Sequence, residues 1–328
     1  MVELESILKN VEPEIARRVR EALALMRKQA IGAEAYRQNA KVWTKEDDSP
    51  VTVADLLHQC QLQQLLRTSF PEDGLISEEP RSMLLETFEE ASAISAEFYG
   101  VHMNPELSEV PDRGPCTWVF DPIDGTKGYL KGRYYAIALG FFMNEVPVFG
   151  AMAIPHRTGQ TGEADSTLHY AFDRSLAFAI KGHGAWITKL DVQGTETYLK
   201  LDATTVDEST AVRMGMSLEH GDNLAERFKK NKFDYVKIDS QAKYLAVAAG
   251  DLDLYVRKCR GDRPQDLLWD HLPGMMLVLE AGGTICSFDG SPISMLVQDE
   301  ISFVGGMICH RGPRGTEFAK SIEQAVNA

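Results

Sequence analysis

Four β-rich runs follow one another in the middle of the chain, with turn residues between them. They cover residues 118–120, 136–142, 146–154 and 176–180. Asn144-Glu145 separates the second run from the third, and Gly182-His183-Gly184 follows the fourth. Strands joined in this way are typical of an antiparallel meander. The sequence therefore predicts an antiparallel sheet, and we expect helices to cover a face of it.

Helical periodicity precedes these strands. Apolar residues recur at spacings of three and four from Leu4 to Leu25, which predicts an amphipathic helix. A second helical stretch runs from 54 to 68, and the pair Leu75-Ile76 predicts a short strand after it. Residues 81–115 are acidic and show no β alternation, so we expect a helical excursion over the surface.

The pattern changes after a polar stretch at 190–210. Short strands are then expected at 212–216, 235–238, 252–256, 284–287 and 301–304, and helices at 241–249, 271–281 and 314–326. This change predicts two domains, residues 1–200 and residues 201–328. With no long linker between them, the two domains should share an interface, which is a common place for a site.

The composition is that of a globular protein and excludes several kinds of partner. Of 328 residues, 44% are hydrophobic and 25% are charged, and the net charge is -14. Such a charge repels nucleic acid polymers and anionic membranes, although cations can still mediate the binding of a small anion. The five cysteines form no C-x-x-C pair, the N-terminus is acidic, and no apolar run is long enough for a membrane span. We therefore expect a cytoplasmic protein, of undetermined oligomeric state.

The segment Asp121-Pro122-Ile123-Asp124-Gly125-Thr126 carries the densest chemical signal. Two carboxylates three residues apart at the end of a strand can converge and offer the hard oxygen ligands that Mg²⁺ prefers, and the Ile123 carbonyl can join them. If Gly125-Thr126 opens a helix, its free N–H groups would hold a phosphate beside the metals. Taken alone, however, the segment also fits an Asp-rich turn with a helix cap.

Three further acidic turns have an equally plain local interpretation. Glu78 follows the apolar pair Leu75-Ile76 and precedes Pro80, as it would in an ordinary solvated turn. Asp270, in Trp269-Asp270-His271, precedes an apolar helix and can act as its N-cap. Asp55 begins the helix after Ser49-Pro50-Val51-Thr52 and also fits a capping role.

The four turns occur together in the order of a known family. Trp118 to Thr126 resembles the signature of the inositol monophosphatase superfamily, and Trp269-Asp270-His271 followed by Glu280-Ala281-Gly282-Gly283 resembles its second signature. Within the superfamily, residues 48–52, 126–132 and 239–244 are similar to the 3′(2′),5′-bisphosphate nucleotidase branch. The stretch Ser-Gln-Ala-Lys-Tyr at 240–244 is the most discriminating.

The resemblance implies both a fold and an activity. The fold would be α/β (α+β), a two-domain layered αβαβα sandwich of the inositol monophosphatase and sugar phosphatase type. The activity would be Mg²⁺-dependent, lithium-sensitive hydrolysis of adenosine 3′,5′-bisphosphate to AMP and phosphate, with the sulfated nucleotide as a further candidate substrate. Two or three Mg²⁺ ions would be held by the family's metal ligands, which match Glu78, Asp121, Ile123, Asp124 and Asp270.

The resemblance also implies roles for the remaining matched residues. Asp55 and Thr126 would position the attacking water, and Gly125 and Thr126 would bind the phosphate that is removed. On the substrate side, the matched positions are Ser240, Lys243, Arg257 and His220. A second phosphate needs a cationic partner outside the metal cluster, and Arg and Lys are the usual choices.

Two alternatives to nucleotide hydrolysis stay open. The metal cluster does not choose the alcohol, so an inositol phosphate could be the substrate instead. A protein that only senses a nucleotide bisphosphate could keep the metal site without turnover, although the presence of both Asp55 and Thr126 argues against it. The sequence contains no P-loop, zinc-protease, hydrolase-elbow or dinucleotide-binding motif that would support another chemistry.

Overall fold

A computed structural model of the chain describes residues 1–38, 41–46, 48–100, 102–103, 110–155, 174–191, 195–204, 211–217, 233–258 and 265–327. Within these ranges no helix has both the length and the apolar character needed to cross a bilayer.

An eight-stranded sheet forms the centre of the first part of the chain. Its strand order is β1-β10-β9-β8-β7-β6-β5-β4. All neighbouring strands run antiparallel except β4 and β5, which are parallel, so the predicted meander is confirmed. The strands are β1 Val2–Glu3, β4 Gly74–Ser77, β5 Cys116–Asp124, β6 Ala136–Met143, β7 Val146–Ile154, β8 Ser175–Ile180, β9 Gly184–Lys189 and β10 Thr197–Lys200. A separate antiparallel hairpin is made of β2 Val42–Thr44 and β3 Pro50–Thr52.

Helices cover one face of this sheet. The helices of this part are α1 Leu4–Leu8, α2 Pro13–Arg37, α3 Val53–Ser69 and α4 Arg81–Tyr99, while the short α5 Thr126–Leu130 follows β5. Of these, α2 and α3 pack on the sheet, and α4 packs on α3. The single helix predicted from Leu4 to Leu25 was wrong in one respect, because the helix breaks before Pro13. Proline lacks the N–H that a helix interior needs but fits the first turn, where Pro13 stands.

A five-stranded mixed sheet forms the centre of the second part, in the order β12-β11-β13-β17-β15. Its strands are β11 Val212–Ser217, β12 Phe233–Ile238, β13 Leu254–Lys258, β15 Thr284–Ser287 and β17 Gly306–His310. The strand predicted at 301–304 corresponds to β16 Glu300–Ser302, which pairs with β14 Gln265–Leu267 outside this sheet. The strand β17, which lies between β13 and β15, was not predicted.

Two helices lie between the two sheets, and a third covers the outer face of the smaller one. They are α6 Ala242–Ala249, α7 Leu272–Glu280 and α8 Gly312–Asn327. The helix α7 packs very closely on β7, since a Cβ added to Gly150 would lie 2.6 Å from the Cβ of Met276. One core joins α2 and α3 to the large sheet, a second joins both sheets through α6 and α7, and a third lies under α8. The layered αβαβα sandwich is therefore confirmed, while the division at residue 200 stays a prediction.

Candidate active site

Three carboxylates meet where β5 ends. One oxygen atom from each of Asp121, Asp124 and Asp270 lies within 4.8 Å of the others. The pairing of β5 with β6 shifts by one residue between Asp121 and Asp124, as in a β-bulge. Residues three apart in a regular strand point to opposite faces, so this irregularity lets both carboxylates face the same side. Asp270 arrives from the other part of the chain, on a 3₁₀ turn just before α7.

A fourth acidic residue, Glu78, lines the same cavity at the end of β4. The Lys45 ammonium lies 2.7 Å from Glu78 Oε1 and 3.0 Å from Oε1 of Glu79. Lys45 follows directly after β2, so this ion pair fastens the β2–β3 hairpin to the edge of the site. Neither Lys45 nor Glu79 was predicted as a site residue, because nothing local in the sequence indicates an ion pair across more than thirty positions.

Burial and mutual repulsion raise the pKa values of the clustered carboxyl groups. The pKa of Asp121 lies well above its usual range because the group is buried and faces the charge of Glu78. Burial raises the pKa of Asp270 to about 7, although Arg257 opposes this shift. Burial also raises the pKa of Asp124, against the Gln241 N–H and the Lys243 ammonium. Such a cluster favours the binding of a cation that compensates its charge.

The donor set fits a hard divalent cation. Carboxylate oxygens and a backbone carbonyl are the ligands that Mg²⁺ prefers, and the cluster described here offers no sulfur or imidazole donor. Oδ1 of Asp121 is buried and has no hydrogen-bond partner, which leaves a lone pair available to a ligand. The Ile123 carbonyl, predicted as a further ligand, accepts a hydrogen bond of 3.1 Å from the Thr126 hydroxyl.

The two residues predicted to activate water, Asp55 and Thr126, have different hydrogen-bond partners. Asp55 is fully buried near the start of α3, where its Oδ2 accepts from the Thr52 N–H at 2.8 Å and from the Thr52 hydroxyl at 2.6 Å. The capping role that the sequence suggested for Asp55 is therefore confirmed. Its Oδ1 is buried without a hydrogen-bond partner, and burial raises its pKa to about 7. The pairing of Asp55 with Thr126 stays a prediction, since the Thr126 hydroxyl donates to Ile123.

The turn after β5 approaches the second part of the chain very closely. Gly125 has a φ of 87° and caps α5, which begins at Thr126, so the condition that Gly125-Thr126 opens a helix is met. A Cβ at Gly125 would lie 3.1 Å from the Cβ of Ser240. The backbone N–H of Gln241 donates to the Asp124 carboxylate, so these contacts join the two parts at the site.

Two cations line the same cavity, close to the acidic cluster. The Lys243 ammonium is buried and donates to the carbonyls of Ile238, at 3.0 Å, and Ser240. Burial lowers the pKa of Lys243 to about 8. The Arg257 guanidinium lies 2.6 Å from Asp266 and 3.6 Å from Asp270. His220, the remaining predicted substrate residue, lies outside the described residues.

A cavity of about 760 Å³ connects these groups. Apart from Asp55 and His220, every predicted site residue lines it, namely Glu78, Asp121, Ile123, Asp124, Gly125, Thr126, Ser240, Lys243, Arg257 and Asp270. Lys127, Ser217 and Trp269 line it as well and were not among the predicted site residues. A cavity lined by both acidic groups and cations can hold a metal cluster and an anionic ligand side by side.

Residues 11–317 match the inositol monophosphatase family. The chain belongs to this family. Among curated relatives, it is 25% identical to 3′(2′),5′-bisphosphate nucleotidase 1 of Candida albicans, over 86% of this chain and 87% of that protein. It is 28% identical to 3′,5′-bisphosphate nucleotidase 2 of Arabidopsis thaliana, over 88% of this chain and 89% of that protein. The resemblance to the bisphosphate nucleotidase branch is thus confirmed, and the protein is an enzyme of the phosphatase class.

Solved structures of the family share the fold. The IMPase of Thermotoga maritima matches with a TM-score of 0.64 at 19% identity, covering 95% of this chain and 98% of that one. Inositol monophosphatase-II of Staphylococcus aureus, crystallised with 2′-AMP bound, matches with a TM-score of 0.60 at 15% identity, covering 94% of this chain and 95% of that one. These likenesses support the layered architecture and, at such identities, the fold alone.

Proposed function

We propose that this protein is a Mg²⁺-dependent phosphatase that removes the 3′-phosphate of adenosine 3′,5′-bisphosphate, giving AMP and phosphate. The observation that carries the proposal is one cavity lined both by the acidic cluster of Asp121, Asp124 and Asp270 and by the cations Lys243 and Arg257. A nucleotide with two phosphates needs both sets of residues, because each phosphate requires its own positive partner. Relatives named as nucleotidases for such substrates support this choice.

The proposed metal ligands are the carboxylates of Glu78, Asp121, Asp124 and Asp270 and the carbonyl of Ile123, together holding two or three ions. When bound, Mg²⁺ would supply an activated water, neutralisation of the phosphate charge and stabilisation of the leaving oxygen. Glu78, whose present partner is the Lys45 ammonium 2.7 Å away, would have to give up this ion pair to hold a metal.

Asp55 and Thr126 are the proposed water-positioning pair. In this arrangement, the Thr126 hydroxyl donates to Asp55 and accepts a hydrogen bond from the attacking water. Oδ1 of Asp55 supports the role, because it is buried and has no hydrogen-bond partner. The pKa of Asp55, raised by burial to about 7, would let this carboxyl exchange a proton near neutral pH.

Substrate contacts are proposed for the cations of the cavity and their neighbours. Lys243 and Arg257 would bind the second phosphate, with Ser240 beside them and His220 over the adenine or ribose. Gly125 and the Thr126 N–H would hold the phosphate that is removed. The sulfated nucleotide, 3′-phosphoadenosine 5′-phosphosulfate, carries the same 3′-phosphate and is proposed as a second substrate. The cytoplasm is the proposed compartment, in keeping with the absence of paired cysteine motifs in the sequence.

The test is release of phosphate with Mg²⁺, with and without LiCl, from adenosine 3′,5′-bisphosphate, inositol 1-phosphate and inositol 1,4-bisphosphate at equal concentrations. Preference for the nucleotide, with inhibition by Li⁺, is the expected result. Preference for either inositol phosphate would refute the proposed substrate and assign the cavity to an inositol phosphatase. No release by a folded protein that binds Mg²⁺ would refute the proposed hydrolysis and support a sensor.

A further inference from the structure

Asp266 is an acidic residue next to the cavity that does not line it. It lies in β14, and its Oδ2 is 2.6 Å from the Arg257 guanidinium. Its Oδ1 accepts from the N–H of Leu267 at 3.2 Å. The carboxylate is therefore held at both oxygens, while its side chain is only 10% exposed. A buried carboxylate fixed in this way can set the direction of an arginine without touching the ligand of that arginine.

A buried pair of side chains supports Asp266 from behind. His271 Nε2 lies 3.3 Å from the same Oδ2 of Asp266, and His271 Nδ1 lies 2.5 Å from the Tyr244 hydroxyl. His271 Nε2 makes no hydrogen bond of regular geometry, so its approach to Asp266 is an electrostatic contact, which is favourable when the imidazole proton is at Nε2. The Tyr244 hydroxyl also contacts Met307 Sδ at 2.9 Å. The resulting chain of contacts runs from Tyr244 through His271 and Asp266 to Arg257.

Arg257 has a second acidic neighbour that competes with Asp266. Its guanidinium lies 3.6 Å from Asp270, beyond hydrogen-bond distance, and 2.6 Å from Asp266. Without the charge of Asp266, the guanidinium would have Asp270 as its remaining acidic partner in this group. Such a shift would withdraw Arg257 from an anionic ligand and would also neutralise a carboxylate of the acidic cluster.

We propose that Asp266, oriented by His271 and Tyr244, is the positioning residue that keeps the Arg257 guanidinium turned toward the substrate and away from Asp270. The inference rests on the proposed function, in which Arg257 binds the second phosphate. Asp266 would thereby have two effects. It would favour substrates with a second phosphate, and it would leave the Asp270 carboxylate available to a metal.

The test compares adenosine 3′,5′-bisphosphate with adenosine 3′-monophosphate, which lacks the second phosphate, in Asp266→Asn. The KM for the bisphosphate should rise on the order of ten-fold, the scale on which the outer partners of binding residues act, while kcat at saturating Mg²⁺ changes little. The KM for the monophosphate should stay near that of the unaltered enzyme. Asp266→Glu should restore most of the loss, because it restores the charge.

A double-mutant cycle separates positioning from a general structural effect. If Asp266 acts through Arg257, Asp266→Asn should change the KM for the bisphosphate by less than two-fold in an Arg257→Gln background. Tyr244→Phe removes only the hydroxyl that orients His271, and it should raise the same KM in the same direction by a smaller factor. Asp299→Asn is the matched control, since Asp299 pairs with Arg113 on the surface and does not line the cavity.

Additive effects in the cycle, or equal increases in KM for both nucleotides, would overturn the inference. Failure of the proposed function has a different signature, which is an unaltered enzyme that does not prefer the bisphosphate. In that case, calorimetric titration with Mg²⁺ alone tests whether Asp266 positions Arg257. Weaker Mg²⁺ binding in Asp266→Asn, restored by adding Arg257→Gln, supports the positioning role, and unchanged binding overturns it.

Discussion

The acidic cluster predicts an unusual dependence of stability on pH in the absence of metal. Burial raises the pKa of Asp270 to about 7 in the folded protein, from an ordinary value of 3.8. Between these two pKa values the folded chain binds more protons than the unfolded chain. The free energy of unfolding contributed by Asp270 therefore falls as the pH rises from about 4 through 7, and it is not recovered above that range. Replacing Asp270 by Asn should remove this loss.

The magnitude follows from the two pKa values. With pKa values of 3.8 in the unfolded and about 7 in the folded protein, a single carboxyl group lowers the free energy of unfolding by about 2 to 3 kcal/mol between pH 5 and pH 8. Burial raises the pKa of Asp55 to about 7 and that of Glu79 to about 8, so both groups also lower the free energy of unfolding as the pH rises. The metal-free protein should therefore unfold more easily at pH 8 than at pH 5, and Asp270→Asn should show a smaller decline.

The assay is urea unfolding in EDTA at pH 5, 6, 7 and 8, followed by tryptophan fluorescence for the unaltered protein and Asp270→Asn. Arg257 stays paired with Asp266 at 2.6 Å in this variant, so its charge is not left alone. Asp299→Asn, an exposed carboxylate outside the cavity, is the control and should follow the unaltered protein. Parallel curves for Asp270→Asn and the unaltered protein, or stability that rises from pH 5 to pH 8 in both, would show that the pKa of Asp270 is not raised in the folded protein.

Three further substitutions test separate parts of the site. Asp121→Asn should lower kcat by several orders of magnitude without unfolding the protein, and near-normal phosphate release would remove Asp121 from the metal ligands. Gly125→Ala should lower the free energy of unfolding by about 1 to 2 kcal/mol, because alanine at a φ of 87° is strained and its Cβ meets Ser240; unchanged urea unfolding would contradict this. Lys243→Met should raise KM for adenosine 3′,5′-bisphosphate much more than for adenosine 3′-monophosphate, and equal increases in steady-state kinetics would exclude Lys243 from binding the second phosphate.

Much of the fold could be predicted because its strongest patterns are local. The runs at 136–142 and 146–154 became β6 and β7 almost unchanged, since their β-rich composition and the turn residues between them indicate such strands without help from distant contacts. The strand β17, Gly306–His310, could not be predicted in the same way. Each of its five residues is buried between β13 and β15, so its neighbours in the sheet, rather than a local pattern, define it.

The site residues that could be predicted are likewise those with a local pattern. Asp121 and Asp124 could be recognised because they lie three residues apart at a predicted strand end, beside a proline and a glycine. Lys45 and Glu79 could not, because their ion pair joins segments far apart in the chain. Asp266 could not either, because no local pattern indicates that it pairs with Arg257. An ion pair is buried only once the chain has folded. In the sequence, each of its residues looks like an ordinary surface charge, so the pair cannot be detected.

The most direct test of the proposed metal site is an anomalous difference map from a crystal of the protein soaked in Mn²⁺. Mn²⁺ takes the same oxygen ligands as Mg²⁺ and scatters strongly enough to be located. We expect a peak bounded by the carboxylates of Asp121, Asp124 and Asp270, with Glu78 released from Lys45 to a neighbouring ion. An empty cluster, with Mn²⁺ bound elsewhere or not at all, would contradict the claim that these residues form the metal site of a phosphatase.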